Sequence, residues 1–400
     1  MLCKEDLALY GGKSVRDKKL YYGHQWIDED DIKAVEKVLR GDYLTCGPQV
    51  SALEEKLCKV TEAKYAVACS NGTAALHIAM MAAGVGEGDE VITTPLTFAA
   101  SSNCALYCNA TPVFADVDPE TYNISPQSIR EKITDKTKAI VAVDFTGQAV
   151  CHKEIRAICD EYNLIFIEDA AHAIGTKYDG KPVGSLADMT CFSFHPVKTV
   201  TSGEGGAVTT NNKDYYQKLL LAHTHGITHD EDLMEETPEG SWYYEMIDMG
   251  YNYRITDIQS ALLMSQLDKL KKFSDRRKAI VKRYDEVFSK MPEIIVQKEI
   301  PESDTTRHLY IIQLNSEKLT CTRREFFDAM AAENVQCQVH YVPVYWFPVY
   351  KRLGHKKGEC PNAEKIYLNC MSIPLYPLLS DSDVEDVISA VKKCVEAFRR

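Results

Sequence analysis

The sequence predicts an α/β fold with a mostly parallel sheet, followed by a smaller second domain. From residue 62 to about 210, short runs rich in β-branched and apolar residues alternate with longer helical patterns, which is typical of a sheet whose strands are joined by helices. Each helical pattern is long enough to connect two parallel strands. The length of 400 residues also fits about two domains, at roughly 100 to 200 residues per domain.

The individual elements follow from their patterns. An amphipathic helix is predicted at 28–40, because this segment has an acidic first turn and ends at Gly41. In the alternating block, the predicted helices are 73–83, 97–108 and 153–162. The predicted strands of the sheet are 65–69, 90–93, 111–115, 139–143, 164–168, 189–194 and 207–210.

Four segments are predicted along the chain: an N-terminal arm (1–27), a large α/β domain (28–255), a connecting helix (256–291) and a small domain (292–400). The elements expected in the small domain are a strand at 307–313, a helix at 323–333, a strand at 336–342 and a C-terminal helix from Ser382. The segment 228–245 has seven acidic residues and no Lys or Arg. It is therefore either a solvated loop or a lid over a substrate.

Composition argues against several classes of protein. Lys and Arg number 46 against 58 Asp and Glu, for a net charge of −12, and an acidic chain repels the phosphate backbone of nucleic acids. The 14 cysteines are scattered without a Cys-x-x-Cys pair, which favours reduced thiols. The charged first residues do not fit a signal peptide, and the uncharged stretch 91–115 contains prolines and asparagines. We therefore predict a cytoplasmic protein that binds neither nucleic acid nor membranes.

Two adjacent carboxylates, Glu168 and Asp169, end the apolar run that begins at Leu164. The run predicts a buried central strand, and ligands of open α/β sheets bind at the carboxyl ends of the strands. Adjacent side chains on a strand face opposite ways, so one of the two carboxylates is expected in a site. The alternative is that Asp169 simply caps the next helix.

A lysine, Lys198, follows the predicted strand at 189–194 in a turn between Pro196 and a run of glycines that starts at Gly203. An ordinary lysine has a pKa near about 10.4 and is a poor nucleophile, whereas a lysine held in an apolar site can form a Schiff base. Glycines allow the backbone to approach a ligand closely. The alternative is a solvated surface lysine.

A turn of small residues, Ser70-Asn71-Gly72-Thr73, joins the first predicted strand to a helix. Such a turn presents free backbone N–H groups and the hydroxyl of Thr73 to an anion, and the helix dipole favours negative charge there. The alternative is that Thr73 is an ordinary helix cap.

One ligand would use all three features, namely pyridoxal 5′-phosphate. Its phosphate needs an anion site, its ring nitrogen needs a carboxylate such as Asp169, and its aldehyde needs a lysine such as Lys198. Lys198 would then also move protons during the reaction. Phe98 would either stack on the ring or pack in the core.

Further motifs stand in order around these residues. They are Leu44-Thr45-Cys46-Gly47-Pro48, Glu168-Asp169-Ala170-Ala171-His172, Ser193-Phe194-His195-Pro196-Val197-Lys198, His225-Gly226 and Gly250-Tyr251-Asn252-Tyr253-Arg254. From Tyr22 to the C-terminal domain, the chain resembles the DegT/StrS group of sugar aminotransferases, which have the aspartate aminotransferase fold. The resemblance implies a pyridoxal-phosphate-dependent transferase of fold type I, with a large α/β domain and a smaller C-terminal α+β domain.

The resemblance also implies roles for individual residues. Gly72, Thr73 and Ser193 would hold the cofactor phosphate, and His172 would touch the cofactor near its O3′. Asn252 would reach the phosphate in the neighbouring subunit, which implies a homodimer with shared active sites. The residues implied for the substrate are Tyr22, Asp42, Tyr43, Leu44, Thr45, His340 and Tyr341.

Within the group, the chain is most similar to the transaminases that make UDP-4-amino-4,6-dideoxy-N-acetyl-β-L-altrosamine, a precursor of pseudaminic acid. This implies glutamate as the amino donor and the UDP-linked 4-keto-6-deoxy sugar as the acceptor. Another nucleotide 4-keto sugar, a keto cyclitol or a silent sugar-sensing role of the same fold are the alternatives. A nicotinamide oxidoreductase is disfavoured because no Gly-x-Gly-x-x-Gly turn follows the first strand. The spacing of His223, His225 and His229 does not fit a zinc site, and no metal is expected.

Overall fold

The computed structural model describes residues 2–400. Its α-helices are α1 (Glu29–Leu39), α2 (Pro48–Thr61), α3 (Gly72–Ala82), α4 (Ala100–Tyr107), α5 (Pro126–Lys132), α6 (His152–Tyr162), α7 (Lys213–His223), α8 (Asp257–Asp268), α9 (Leu270–Phe288), α10 (Arg323–Ala332), α11 (Pro348–Arg352), α12 (Pro361–Asn369) and α13 (Asp381–Phe398). Its strands are β1 (Tyr65–Cys69), β2 (Glu90–Thr93), β3 (Thr111–Phe114), β4 (Thr137–Val143), β5 (Ile165–Asp169), β6 (Lys177–Tyr178), β7 (Lys181–Pro182), β8 (Met189–Ser193), β9 (Gly206–Thr210), β10 (Ile227–Thr228), β11 (Glu245–Met246), β12 (Ile294–Val296), β13 (Ser303–Asp304), β14 (Tyr310–Leu314) and β15 (Cys370–Ile373).

A seven-stranded sheet forms the centre of the larger part of the chain, with strand order β1-β9-β8-β5-β4-β2-β3. The run from β3 to β8 is parallel throughout, and β9 is antiparallel to both of its neighbours. Because β5 and β8 are parallel neighbours, their carboxyl ends bring Asp169 and Ser193 to one edge of the sheet. The predicted α/β fold with a mostly parallel sheet is confirmed.

Helices cover both faces of this sheet, which explains why its strands are apolar along most of their length. The last five residues of β4 are all buried. Helix α3 is apolar nearly all round and almost wholly buried, as expected of a helix enclosed on every side. It packs against β8 and α7, which fixes its first turn beside the end of β8.

The small domain is built on an antiparallel sheet, β12-β14-β15. Helices α10 and α13 and the end of α9 pack on it in one core. Leu7 and Leu20 from the N-terminal arm belong to this core as well. None of the helices within residues 2–400 combines the length and the apolar character needed to cross a membrane.

Several elements differ from the prediction. The segment 256–291 forms two helices that meet at Lys269, whose amine pairs with Asp28 and Asp31. The predicted strand at 336–342 is wrong: this segment is irregular and pairs with the sheet only at Gln338, opposite Ser372. Helices α2 and α7 were not anticipated from the sequence.

Candidate active site

A cavity of about 890 Å³ opens at the carboxyl ends of β5 and β8. Most of the residues predicted from the sequence to form a site line it. They are Tyr22, Gly72, Thr73, Phe98, Asp169, His172, Ser193, Lys198, His340 and Tyr341.

Asp169 is buried at the end of β5 and points into the cavity. Its Oδ2 accepts a hydrogen bond of 2.6 Å from the hydroxyl of Ser101, and its Oδ1 accepts one of 3.1 Å from the N–H of Ala171. Burial raises the pKa of this carboxyl, and the two hydrogen bonds and Lys198 oppose the rise. Asp169 is therefore a buried carboxylate held ready for a cationic partner.

Lys198 lies in the turn after β8, and its side chain is enclosed by the cavity walls. Burial lowers the pKa of its amine to about 8, and the charge of Asp169 acts in the opposite direction. Within residues 2–400, no carboxylate lies within ion-pair distance of this amine. The lowered pKa thus makes a larger fraction of the amine neutral and nucleophilic near neutral pH than in an exposed lysine.

This lowered pKa gives a first prediction. In protein freed of cofactor, the rate at which Lys198 captures the aldehyde of pyridoxal phosphate should rise with pH and level off above a midpoint of about 8, because only the neutral amine attacks. The rate is measured from the growth of the visible absorbance after mixing. Asp169→Asn should move the midpoint to lower pH, since the Asp169 charge raises the pKa of Lys198. A midpoint near that of a free lysine would contradict the assignment.

The start of α3 has the features expected of an anion site. Asn71 is the N-cap, and its side-chain oxygen accepts a hydrogen bond of 2.8 Å from the N–H of Ala74. Thr73 is therefore not the helix cap, and its hydroxyl remains available at the cavity wall. The first N–H groups of a helix have no acceptor within the helix, so an anion at this end would be favoured.

Two glycines make this close packing possible. A Cβ at Gly72 would lie 2.7 Å from Cβ of Ser193, and a Cβ at Gly206 would lie 2.3 Å from the carbonyl oxygen of Asn71. Neither position can hold a side chain without moving the backbone. The glycines thus bring the helix start against the end of β8, where the hydroxyls of Thr73 and Ser193 flank one site.

Three neutral histidines surround the lysine. Burial lowers the pKa of His172 and of His308 well below the usual value, and it lowers the pKa of His340 to about 4. The rings of His172 and His308 lie 4.3 Å apart between centroids, and Nδ1 of His340 lies 2.7 Å from the hydroxyl of Ser372. These imidazoles offer hydrogen bonds to a ligand, and none of them adds a positive charge to the site.

His308 was not identified from the sequence. It stands in an apolar run that predicts a strand, and its contact with His172 joins positions 136 residues apart. The one local signal that could have identified His308 is its position inside an apolar run, where a histidine is unusual.

Aromatic side chains form the rim of the cavity. Phe98 is 63% exposed there, so it does not pack in the core, and its ring centroid lies 6.4 Å from that of Tyr341. Tyr22 stands 5.6 Å from the ring of His340. Farther along, Tyr345 and Tyr350 are buried in the core instead.

The remaining predicted residues, Asn252 and the segment 42–45, are exposed and lie outside the cavity. Asn252 pairs through its backbone with Thr224, while its neighbours Tyr251 and Tyr253 line the cavity. The acidic segment forms a short hairpin, with β10 and β11 pairing beside this region.

The residues in the cavity fit pyridoxal phosphate. The helix start with two hydroxyls suits a phosphate, the buried Asp169 lacks the cation that would balance it, and Lys198 is an enclosed amine with a lowered pKa. The notable point is that these groups, which come from three separate turns of the sequence, face the same cavity.

Comparison with known proteins extends this conclusion. Residues 25–392 match the model of the DegT/DnrJ/EryC1/StrS aminotransferase family. The spore coat polysaccharide biosynthesis protein SpsC of Bacillus subtilis is 38% identical over 383 residues, covering 95% of this chain and 98% of its own. A UDP-4-amino-4,6-dideoxy-N-acetyl-beta-L-altrosamine transaminase of Campylobacter jejuni is 38% identical over 384 residues, with coverage of 95% and 98%.

Solved structures of sugar aminotransferases are similar to this chain over nearly its whole length. Helicobacter pylori PseC, an aminotransferase of pseudaminic acid biosynthesis, superposes with a TM-score of 0.88 at 31% identity, covering 95% of this chain and 100% of its own. The PLP form of the putative sugar aminotransferase Spr1654 from Streptococcus pneumoniae gives a TM-score of 0.87 at 30% identity, with coverage of 94% and 99%.

These matches cover nearly the whole chain and confirm three predictions: the fold of the pyridoxal-phosphate-dependent transferases, the cofactor and the class of enzyme. One cofactor, pyridoxal phosphate, thus explains the large sheet, the features of the start of α3 and the lysine after β8. The chain belongs to the DegT/DnrJ/EryC1/StrS aminotransferase family.

Proposed function

We propose that this enzyme transfers the amino group of glutamate to C4 of a UDP-linked 4-keto-6-deoxy sugar, with UDP-4-keto-6-deoxy-N-acetyl-L-altrosamine as the acceptor. The observation that carries the proposal is the convergence of Lys198, Asp169 and the start of α3 in one cavity. The choice of sugar is supported by the similarity to the altrosamine transaminase and to PseC.

The residues that line the cavity each have a definite task in this proposal. When bound, the cofactor supplies an aldehyde and a ring that stabilises negative charge on the amine-bearing carbon. Asp169 holds the proton on the ring nitrogen. Lys198 would hold the aldehyde in the resting enzyme, and its amine, once free, would hold and move the proton of the amine-bearing carbon of the substrate. Gly72, Thr73 and Ser193 hold the phosphate.

The rim of the cavity is the proposed sugar site. Tyr22, His340 and Tyr341 present aromatic faces and neutral hydrogen-bonding groups, which suit a sugar ring with hydroxyl and acetamido groups. His172 is the proposed neighbour of the cofactor's O3′, where its neutral imidazole would hydrogen-bond without adding charge.

A second copy of the chain completes the proposed site. Exposed apolar side chains are concentrated on the segments 39–44 and 242–251, among them Trp242 at 73% and Met249 at 70% exposure. Thr45 pairs with Thr256, which places the first segment near the irregular stretch before α8 that carries Asn252. Apolar surface of this kind marks an interface. We propose that it is covered in a homodimer, where Asn252 and the segment 42–45 reach the partner's cavity.

Mixed dimers test this arrangement. In the proposed dimer, each site combines Lys198 of one subunit with Asn252 of the other. A dimer of one Lys198→Ala chain and one Asn252→Ala chain therefore has one fully native site and one site with both substitutions, and co-expression should produce such dimers. With random pairing, about a quarter of all sites are native. The activity should therefore be about a quarter of wild type at a cofactor concentration that fills native sites but not sites damaged by Asn252→Ala. Each variant alone should be far less active than the mixture. Activity no higher than the average of the two separate variants would contradict shared sites.

The acceptor is tested with a panel of UDP-, GDP- and dTDP-linked 4-keto-6-deoxy sugars, each incubated with glutamate. The products are weighed by mass spectrometry, and we expect amination of the UDP-linked altrosamine precursor. Activity only on a GDP or dTDP sugar, or on a keto cyclitol, would replace the proposed substrate. Replacing glutamate with aspartate or alanine tests the donor in the same assay.

The state of the thiols supports a proposal about the cell compartment. The 14 cysteines are all unpaired, and unpaired thiols in this number are typical of a reducing environment. We propose that the enzyme works in the cytoplasm.

A further inference from the structure

Three titratable side chains meet near the carboxyl ends of β4 and β5 without lining the cavity. Asp144 follows β4, Glu168 lies in β5 next to Asp169, and His152 begins α6. All three are more than nine-tenths buried. Of the side chains in residues 2–400, they are the group close enough together to hold a metal ion. The proposed reaction does not use them, so their burial needs another explanation.

Their spacing favours a proton over a metal ion. Nε2 of His152 lies 2.7 Å from Oε1 of Glu168. Two ligands of one tetrahedral zinc ion, each about 2.1 Å from the metal, would be about 3.4 Å apart. The observed distance is instead typical of groups that share a hydrogen.

Four polar atoms of the cluster make no hydrogen bond of normal geometry: Oδ2 of Asp144, Oε1 of Glu168 and both ring nitrogens of His152. Of these, Nε2 and Oε1 lie 2.7 Å apart. The other carboxylate oxygens are satisfied, because the N–H of Val150 donates to Asp144 (2.9 Å) and the hydroxyl of Thr190 donates to Glu168 (2.8 Å). Burial, followed by the nearby charge of Glu168, raises the pKa of Asp144 well above its usual value. The oxygens of the two buried carboxylates lie within 4.8 Å of one another, so both cannot be ionised at low cost.

We propose that Asp144 and Glu168 share one proton and that this pair positions Asp169. Asp144 carries the proton and donates it to Glu168, with His152 as the third member of the cluster. The backbone N–H of Asp144 donates to the carbonyl oxygen of Asp169 at 3.1 Å, so the cluster holds the strand end that carries Asp169. The titratable groups facing Asp144 are Glu168, His152 and Asp169. When Asp144 and Glu168 share a proton, they carry one negative charge between them instead of two. A second negative charge beside Asp169 would disfavour the ionised form of Asp169.

The shared proton is tested by infrared spectroscopy on cofactor-free protein, so this result does not depend on the proposed reaction. At neutral pH, the spectrum of wild type minus that of Asp144→Asn should contain the C=O band of a protonated carboxyl. The subtraction cancels the bands of other buried carboxyls such as Glu54, whose pKa is raised by burial to about 7. Asp31→Asn is the matched control, because Asp31 is equally buried but paired with Lys269 at 2.9 Å, and it should leave the band unchanged. The absence of this band from the difference spectrum, or a stoichiometric metal ion in the purified protein, would overturn the proposal.

The positioning role, which rests on the proposed cofactor, is tested by the pH at which half of the bound cofactor is released in acid. Glu168→Gln keeps the shape but removes the charge behind Asp169, so this midpoint should fall by about half a pH unit or more. Asp144→Asn replaces a group that is already neutral and should not move it. Equal shifts in both variants, or a shift in neither, would show that the cluster does not act through Asp169. Thermal unfolding of both variants confirms that they fold.

Discussion

Replacing Lys198 with alanine is expected to lower kcat for amino transfer by about 10⁴-fold or more. The side chain has two tasks in the proposed function, since it bonds the aldehyde and moves the proton, and no second amine lines the cavity within residues 2–400. Stopped-flow and steady-state measurements with glutamate give kcat, and the absorbance of the purified protein shows whether the covalent bond to the cofactor forms.

The matched control is Lys213→Ala, because Lys213 is exposed at the start of α7 and should retain wild-type kcat. Lys198→Ala should still bind the cofactor without a covalent bond, since Asp169 and the start of α3 are intact. A small primary amine added to the solution should partly restore turnover by entering the space left by the side chain. If Lys198→Ala turned over within tenfold of the control, another base would have to carry the proton.

The parts of the site that could be predicted from the sequence are those with a local signal. Asp169 ends an apolar run and Lys198 follows the next strand in a glycine-rich turn. Parallel neighbouring strands bring such ends together, so short-range patterns were enough. The position of the N-cap was decided by packing instead: Asn71 takes it because Gly72 must lie against Ser193.

The parts that could not be predicted depend on distant contacts. His308 belongs to the site through His172, and no periodicity links the two positions. The helix predicted at 256–291 breaks at Lys269, whose amine is held by carboxylates of the first helix. The segment 336–342 has a strand-like composition, but it is held by a single pairing and by the rim of the cavity. In each case a tertiary contact outweighs the local preference.

A third group of predicted site residues is exposed on the surface of the single chain. Asn252 and the segment 42–45 lie outside the cavity of a single chain. Exposed apolar side chains accompany them, which is what a surface completed by a second copy would show. A single subunit therefore cannot test their roles, and the mixed-dimer experiment can.

Asp169→Asn is expected to lower kcat by about 10³-fold while making the cofactor-free protein more stable. The amide has the same shape, but it cannot hold a positive charge on the ring nitrogen. Ser101→Ala removes the hydrogen bond of 2.6 Å to this carboxylate, and with it the contacts of the same hydroxyl with Thr97 (2.7 Å) and with the carbonyl oxygen of Phe98 (3.3 Å). Because the carboxylate itself remains, kcat should fall by only about tenfold. Steady-state kinetics at saturating cofactor separate these losses from weaker binding.

The stability difference has a predictable dependence on pH. Burial raises the folded-state pKa of Asp169, so the protonated carboxyl favours folding below the unfolded pKa of about 3.9, and this contribution is lost as the pH rises through the folded value. At neutral pH wild type therefore carries the cost of a buried charge, which Asp169→Asn lacks. Its Tm without cofactor should exceed that of wild type at neutral pH, and the gap should close in acid. A residue that is kept for catalysis at the expense of stability must, when replaced, lower kcat and raise Tm. A lower Tm of Asp169→Asn at neutral pH would therefore mean that Asp169 serves the fold more than the reaction.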